Sequence, residues 1–197
     1  MTGPQKLMLI RHGEKPQKPV PGGVDEDGVS DKHSLAPQGW QRAGALVRFF
    51  SAAYRHGIAK PDSIFAAGVS AASGNTDDDE AAEDYNAPDD SKSRRSEQTV
   101  MPLSRKLKID PNTTVSVGSE DELVKLLRKE SGTVLVAWEH KRLEDITTAF
   151  VGESPKWDGK RFDLVWVLDR QPGDTYGLTV VSQDVLDGDN AADDGAQ

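Results

Sequence analysis

The chain contains no cysteine, which removes disulfides, thiolate-bound metals and cysteine nucleophiles from the chemistry open to it. Long apolar runs are missing as well. No segment approaches the roughly 20 residues that span a bilayer, and the N-terminus has neither the basic flank nor the apolar stretch of a secretory signal. The expected location is therefore the cytoplasm, with no membrane partner. Basic stripes interleaved with aromatics are also absent, so no nucleic-acid partner is expected.

What is present suffices for one substantial core: 197 residues, 36% of them hydrophobic. The net charge of −9 is unevenly placed. Residues 77 to 90 hold eight acids and residues 184 to 197 hold five, with no Lys or Arg in either stretch. Outside them 20 acids face all 24 bases, so the body of the chain carries a small positive excess suited to anionic small molecules. The composition of the first stretch cannot repay the entropy of ordering, which predicts a flexible acidic insertion at about 70–92. The same reasoning predicts one domain over residues 1–186 and a disordered acidic tail over 187–197.

Between these stretches the periodicity alternates. Lys6 to Ile10, Ser63 to Ala67, Thr113 to Val117, Thr133 to Trp138, Phe162 to Leu168 and Gly177 to Ser182 read as strands. Pro37 to His56 carries Trp40, Ala43, Leu46, Val47 and Phe50 on one helical face, with Pro37 in the first turn and Gly57 beyond the last. Arg94 to Leu107, interrupted by Pro102, Glu120 to Lys129 and Lys141 to Phe150 read as further helices. Ser119 and Glu122 have the spacing of a capping box. Alternating strands and helices imply an α/β fold, a three-layer sandwich with a mostly parallel central sheet flanked by helices.

In such sheets ligands bind beyond the carboxyl ends of the strands. Arg11 and His12 end the apolar run Leu7-Met8-Leu9-Ile10, and His140 lies two residues past Val134-Leu135-Val136-Ala137-Trp138. A histidine and an arginine released together can supply a nucleophile and its anion clamp, which points to phosphoryl transfer. His33 sits in a polar loop and His56 beside Gly57 at a helix end, and neither is placed in a site.

Four segments in order carry a family resemblance. Leu9-Ile10-Arg11-His12-Gly13-Glu14, Leu35-Ala36-Pro37-Gln38-Gly39, Arg95-Ser96-Glu97-Gln98-Thr99 and Val134 to His140 resemble the landmarks of the histidine phosphatase superfamily, the phosphoglycerate-mutase-like proteins, over roughly residues 6 to 150. The resemblance implies that His12 is the nucleophile and forms a phosphohistidine that water hydrolyses. It places Arg11, Arg95 and His140 on the phosphoryl oxygens, as catalytic and phosphate-binding residues. It implies no metal and no cofactor, because these side chains supply the positive charge. The expected activity is that of a phosphoric monoester hydrolase acting on a small phosphorylated molecule or a phosphoprotein. A phosphoglycerate-mutase-like phosphotransferase and a non-catalytic phosphate-binding regulatory module are the alternatives.

The chain departs from the family pattern at three points. Ala36 stands where relatives have a helix-capping threonine. The long acidic insertion follows Ala66-Ala67-Gly68, where relatives have few residues, and its charge would disfavour polyanionic substrates. Lys141 follows His140, where one branch of the family has an acid. Glu120 is then the best positional candidate for the general acid and Glu139 the weaker one. Neither the substrate nor the oligomeric state is legible.

Overall fold

The computed structural model describes residues 3–16, 22–52, 56–69 and 93–189. The acidic insertion from residue 70 and the tail beyond 189 lie outside the described residues.

Five strands form one sheet in the order β2-β3-β1-β4-β5: β1 (Lys6–Arg11), β2 (Ser63–Ala66), β3 (Thr133–Trp138), β4 (Leu164–Arg170) and β5 (Tyr176–Ser182). β1 is central, parallel to β3 with Leu7 opposite Val134 and Arg11 opposite Trp138. β2 is parallel to β3. β4 runs antiparallel to β1, and β5 antiparallel to β4. The sheet is therefore mixed, and the expectation of a mostly parallel one is corrected: two of its four pairings are antiparallel. The apolar run of β4 does not encode direction, because a strand buried on both faces reads alike in either sense, and β5 is an edge strand that pairs only with β4.

Alternation along the strands separates two cores. Leu7 and Leu9 pack with Val134, Val136 and Trp138 beneath α3 (Glu120–Leu127) and α4 (His140–Val151). Met8 and Ile10 pack with Leu135 and Ala137 beneath α1 (Pro37–Ser51) and α2 (Arg95–Leu107). Both faces of β1 are thus covered, which explains why its sequence is a continuous apolar run and not an alternation. Among the described residues no helix is long and apolar enough to cross a membrane.

Several local expectations are revised. Thr113 to Val117 is not a strand. It runs beside β2 through isolated bridges at Asn112 and Ser116, and the Asn112 carboxamide oxygen accepts from the backbone N–H and hydroxyl of Thr114, a local turn that competes with the ladder. Helix α1 stops at Ser51, so His56 lies outside it and exposed. Ser119 makes no side-chain cap bond; the Gly118 N–H donates instead to Glu120 Oε1. Helix α2 continues through Pro102 and ends at Lys108 in the left-handed region. The side chain of Asp189 is buried against Arg42 of α1.

Candidate active site

The parallel register of β1 and β3 brings their carboxyl ends to one edge. The His12 N–H donates to Trp138 O (3.1 Å), so the first histidine leaves the sheet beside the strand that delivers the second. Arg11 and His12 are both nearly fully buried. The Nδ1 of His12 lies 2.7 Å from Gly13 O. A carbonyl accepts only, so Nδ1 carries the proton and Nε2 keeps its lone pair. Burial, the positive charge of Arg11 and, more weakly, those of Arg95 and His140 hold the His12 pKa well below 6.5, against the opposing bond to Gly13. The ring is neutral, with Nε2 unprotonated.

The Arg-x-x-Gln-Thr element of α2 latches this turn in place. Thr99 Oγ1 accepts from the Gly13 N–H (2.7 Å) and donates to Arg95 O (2.7 Å). Gln98 Oε1 accepts from the Leu35 N–H (2.9 Å), and its Nε2 donates to Ser34 Oγ (2.8 Å). Arg95 donates from Nη2 to Lys32 O (2.7 Å) and from Nε to Ser34 O (3.3 Å). The motif therefore does three things: it presents a guanidinium, pins the loop before α1, and fixes the backbone after His12.

Gly39 closes the same junction. A Cβ there would come within 2.6 Å of Glu14 O and 3.0 Å of Glu14 N, so the first turn of α1 can approach only as glycine. The Gly39→Ala variant is expected to lose about 1–3 kcal/mol of stability, read from urea unfolding. Full stability in that variant would show that the junction yields easily.

His140 opens α4, with Glu139 as its N-cap. The Glu139 carboxylate accepts from the Arg142 N–H (3.1 Å) and lies 2.8 Å from His140 Nδ1, within ion-pair distance though off-line for a hydrogen bond. Burial pushes the Glu139 pKa up, but His140 and the backbone N–H groups of Lys141 and Arg142 outweigh it and bring it below the usual range. Glu139 is thus bound as an ionised partner of His140. Glu120 is committed elsewhere: its Oε1 accepts from Trp138 Nε1 (2.9 Å) and Gly118 N (2.9 Å), and it lines a cleft with Asp121, Asp145 and Thr148. Neither carboxylate hydrogen-bonds to His12 among the described residues.

Sequence reasoning missed the segment between α4 and β4. Because β4 is antiparallel to β1, the chain must return to the carboxyl edge before entering it, and residues 157–163 line the site. Arg11 Nη1 donates to Gly159 O (2.6 Å), and the Gly159 Cα packs so closely on His140 that an added Cβ would lie 3.3 Å from Nε2. Phe162 stacks on Arg11 and edges His12. Trp157 anchors the segment, its N–H donating to Glu144 (2.9 Å) and its indole to Arg161 O (3.0 Å). Beyond Phe162 opens a cleft of about 280 Å³, lined also by Lys15, Gln38, Lys160 and Arg161. Under it lies Arg42, buried, forking to Glu14 (2.7 Å) and Asp189 (2.7 Å) and donating to Gln183 (2.9 Å). Among the described residues no group of three or more His, Asp or Glu side chains is gathered for a metal.

No family model matches the sequence, and a comparison with curated proteins gives no match. Solved structures do match. The protein histidine phosphatase SixA, solved as a complex with tungstate, superposes with a TM-score of 0.53 at 11% identity, over 90% of this chain and 97% of that one. A putative phosphohistidine phosphatase SixA from Agrobacterium tumefaciens gives 0.48 at 15% identity, over 91% of this chain and 99% of that one. The chain thus has a fold like that of the protein histidine phosphatase SixA.

Proposed function

We propose that this protein is a phosphatase working through a phosphohistidine on His12. The observation that carries the reading is the His12 ring, held by Gly13 O in the tautomer that frees Nε2 and kept neutral by burial among Arg11, Arg95 and His140. Nε2 attacks phosphorus in line, the bond from phosphorus to the leaving group breaks, and a phosphohistidine forms. Water then attacks phosphorus from the vacated side, releasing inorganic phosphate and returning the neutral ring. The forked donors of Arg11 and Arg95 stabilise the equatorial oxygens, and His140 adds a further donor. The nearby carboxylates of Glu120 and Glu139 are engaged by Trp138 and His140. We therefore assign substrates whose leaving group departs without a dedicated proton donor: an activated phosphomonoester or the phosphoramidate bond of a phosphoprotein. The structural neighbour named as a protein histidine phosphatase is in keeping with the latter.

The test is turnover of an aryl phosphate and of phosphohistidine against an alkyl phosphate, across pH. The first two should be hydrolysed far faster than the third. The acidic limb of kcat/KM should fall below pH 6.5, since the free-enzyme nucleophile stays unprotonated there. A limb at or above 6.5, or equal rates for all three substrates, would count against the reading. Oxyanion binding without any turnover would favour the regulatory module instead.

A further inference from the structure

Arg11 is a buried cation stacked on an aromatic ring. Its guanidinium carbon lies 3.8 Å from the centroid of the Phe162 ring, and Nη1 donates to the carbonyl of Gly159 at 2.6 Å. The same ring meets the His12 imidazole edge-on, with centroids 6.1 Å apart and planes inclined by 62°. Phe162 is half-buried, belongs to neither hydrophobic core, and also walls the cleft lined by Lys15, Gln38 and Arg161. One side chain outside the core therefore touches both residues of the Arg11-His12 pair.

We propose that Phe162 is a positioning residue for the phosphate pocket, setting the plane of the Arg11 guanidinium and walling the His12 ring. The inference rests on the reading of Arg11 and His12 as phosphate ligand and nucleophile. Its physical basis is the stack itself, in which the guanidinium lies over the Phe162 ring. An aromatic face attracts the cation through its quadrupole and consumes no N–H donor. The Gly159 carbonyl then fixes rotation within the plane. Against His12 the ring offers apolar contact with no N–H or O–H donor, so it makes no competing hydrogen bond to the lone pair on Nε2. The segment bearing Phe162 is braced by the Trp157 indole on Arg161 O and by the Arg161 pair with Asp163 (2.6 Å), so the ring is presented from a fixed support.

The experiment compares Phe162→Leu and Phe162→Tyr with the unaltered chain. Affinity for orthovanadate, which has no leaving group to touch the cleft, is read alongside kcat and KM for an aryl phosphate. Phe162→Leu should weaken orthovanadate binding and lower kcat, each by about tenfold, whereas Phe162→Tyr, which keeps the ring, should stay within about twofold of the unaltered protein. Should Phe162→Leu fail to fold, Phe162→Met removes the ring at similar bulk and gives the same reading. Unchanged orthovanadate affinity with only KM raised would overturn the proposal and leave Phe162 as a wall of the cleft. An equal loss in Phe162→Tyr would overturn it too. Because orthovanadate affinity needs no turnover, absence of catalysis in the unaltered protein would sink the phosphatase reading while still allowing this one to be judged.

Discussion

His12→Ala is expected to lose turnover of an aryl phosphate by more than about a thousandfold while keeping orthovanadate affinity within about tenfold. The asymmetry follows from the division of labour in the pocket. In the proposed reaction Nε2 of His12 contributes the bond that splits one difficult displacement into two. His140, with its Nδ1 beside Glu139, is assigned instead as a donor to the oxyanion. Binding of the oxyanion depends on Arg11 and Arg95, whose supports at Gly159, Phe162, Lys32 and Ser34 do not pass through His12. The acid-labile, base-stable phosphoenzyme expected from a rapid quench of the unaltered protein should vanish in the variant. Persistence of that label in His12→Ala would place the nucleophile elsewhere.

Arg42→Met should be the most damaging substitution for stability, at about 3–5 kcal/mol in urea unfolding. Methionine matches much of the volume, so the loss is electrostatic. It strands the carboxylates of Glu14 and Asp189, whose side chains are 12% and 5% exposed, together with the carboxamide of Gln183. The pH dependence carries a second signature. Burial pushes the Asp189 carboxyl up, but Arg42 and the backbone N–H groups of Val185 and Leu186 outweigh it and hold its pKa below the ordinary carboxylate range. A carboxyl with a depressed folded pKa contributes stability that is complete above the unfolded value, about 3.9, and is lost as pH falls through the folded one. The unaltered protein should therefore lose stability steeply below about pH 4, and Arg42→Met should show a shallower loss over that range. Equal slopes would mean that Asp189 gains nothing from Arg42. The same network buries the Asp189 side chain against Arg42 of α1.

The site was legible where a residue's neighbours are also its neighbours in sequence, or where a motif carries its own geometry. Leu7 to Ile10 and Val134 to Trp138 show as strands because both faces are covered, and their ends place His12 and His140 together. Arg95, Gln98 and Thr99 recur at the spacing of one helical turn, and the structure gives each its own task. Ala36, standing where a capping threonine was expected, makes no side-chain cap bond, and Pro37 opens the helix. Illegible were the long-range choices. The spacing that favoured Glu120 as an acid places it correctly at the start of α3, but says nothing of Trp138, whose indole claims the carboxylate. Phe162 reads as the first residue of a strand and turns out to precede it, facing Arg11.

The sequence by itself determined the two covered strands, the helices between them and the order of the candidate site residues, because burial on both faces and helical periodicity each leave a local trace. Only the tertiary structure decided the direction of β4, and with it the return of residues 157–163 to the pocket, the stacking of Phe162 on Arg11 and the meeting of Arg42 with Asp189. Strand direction depends on pairing across the sheet, and the partner of a buried charge depends on which distant segment arrives beside it. Neither is written in the composition or periodicity of the segments that meet.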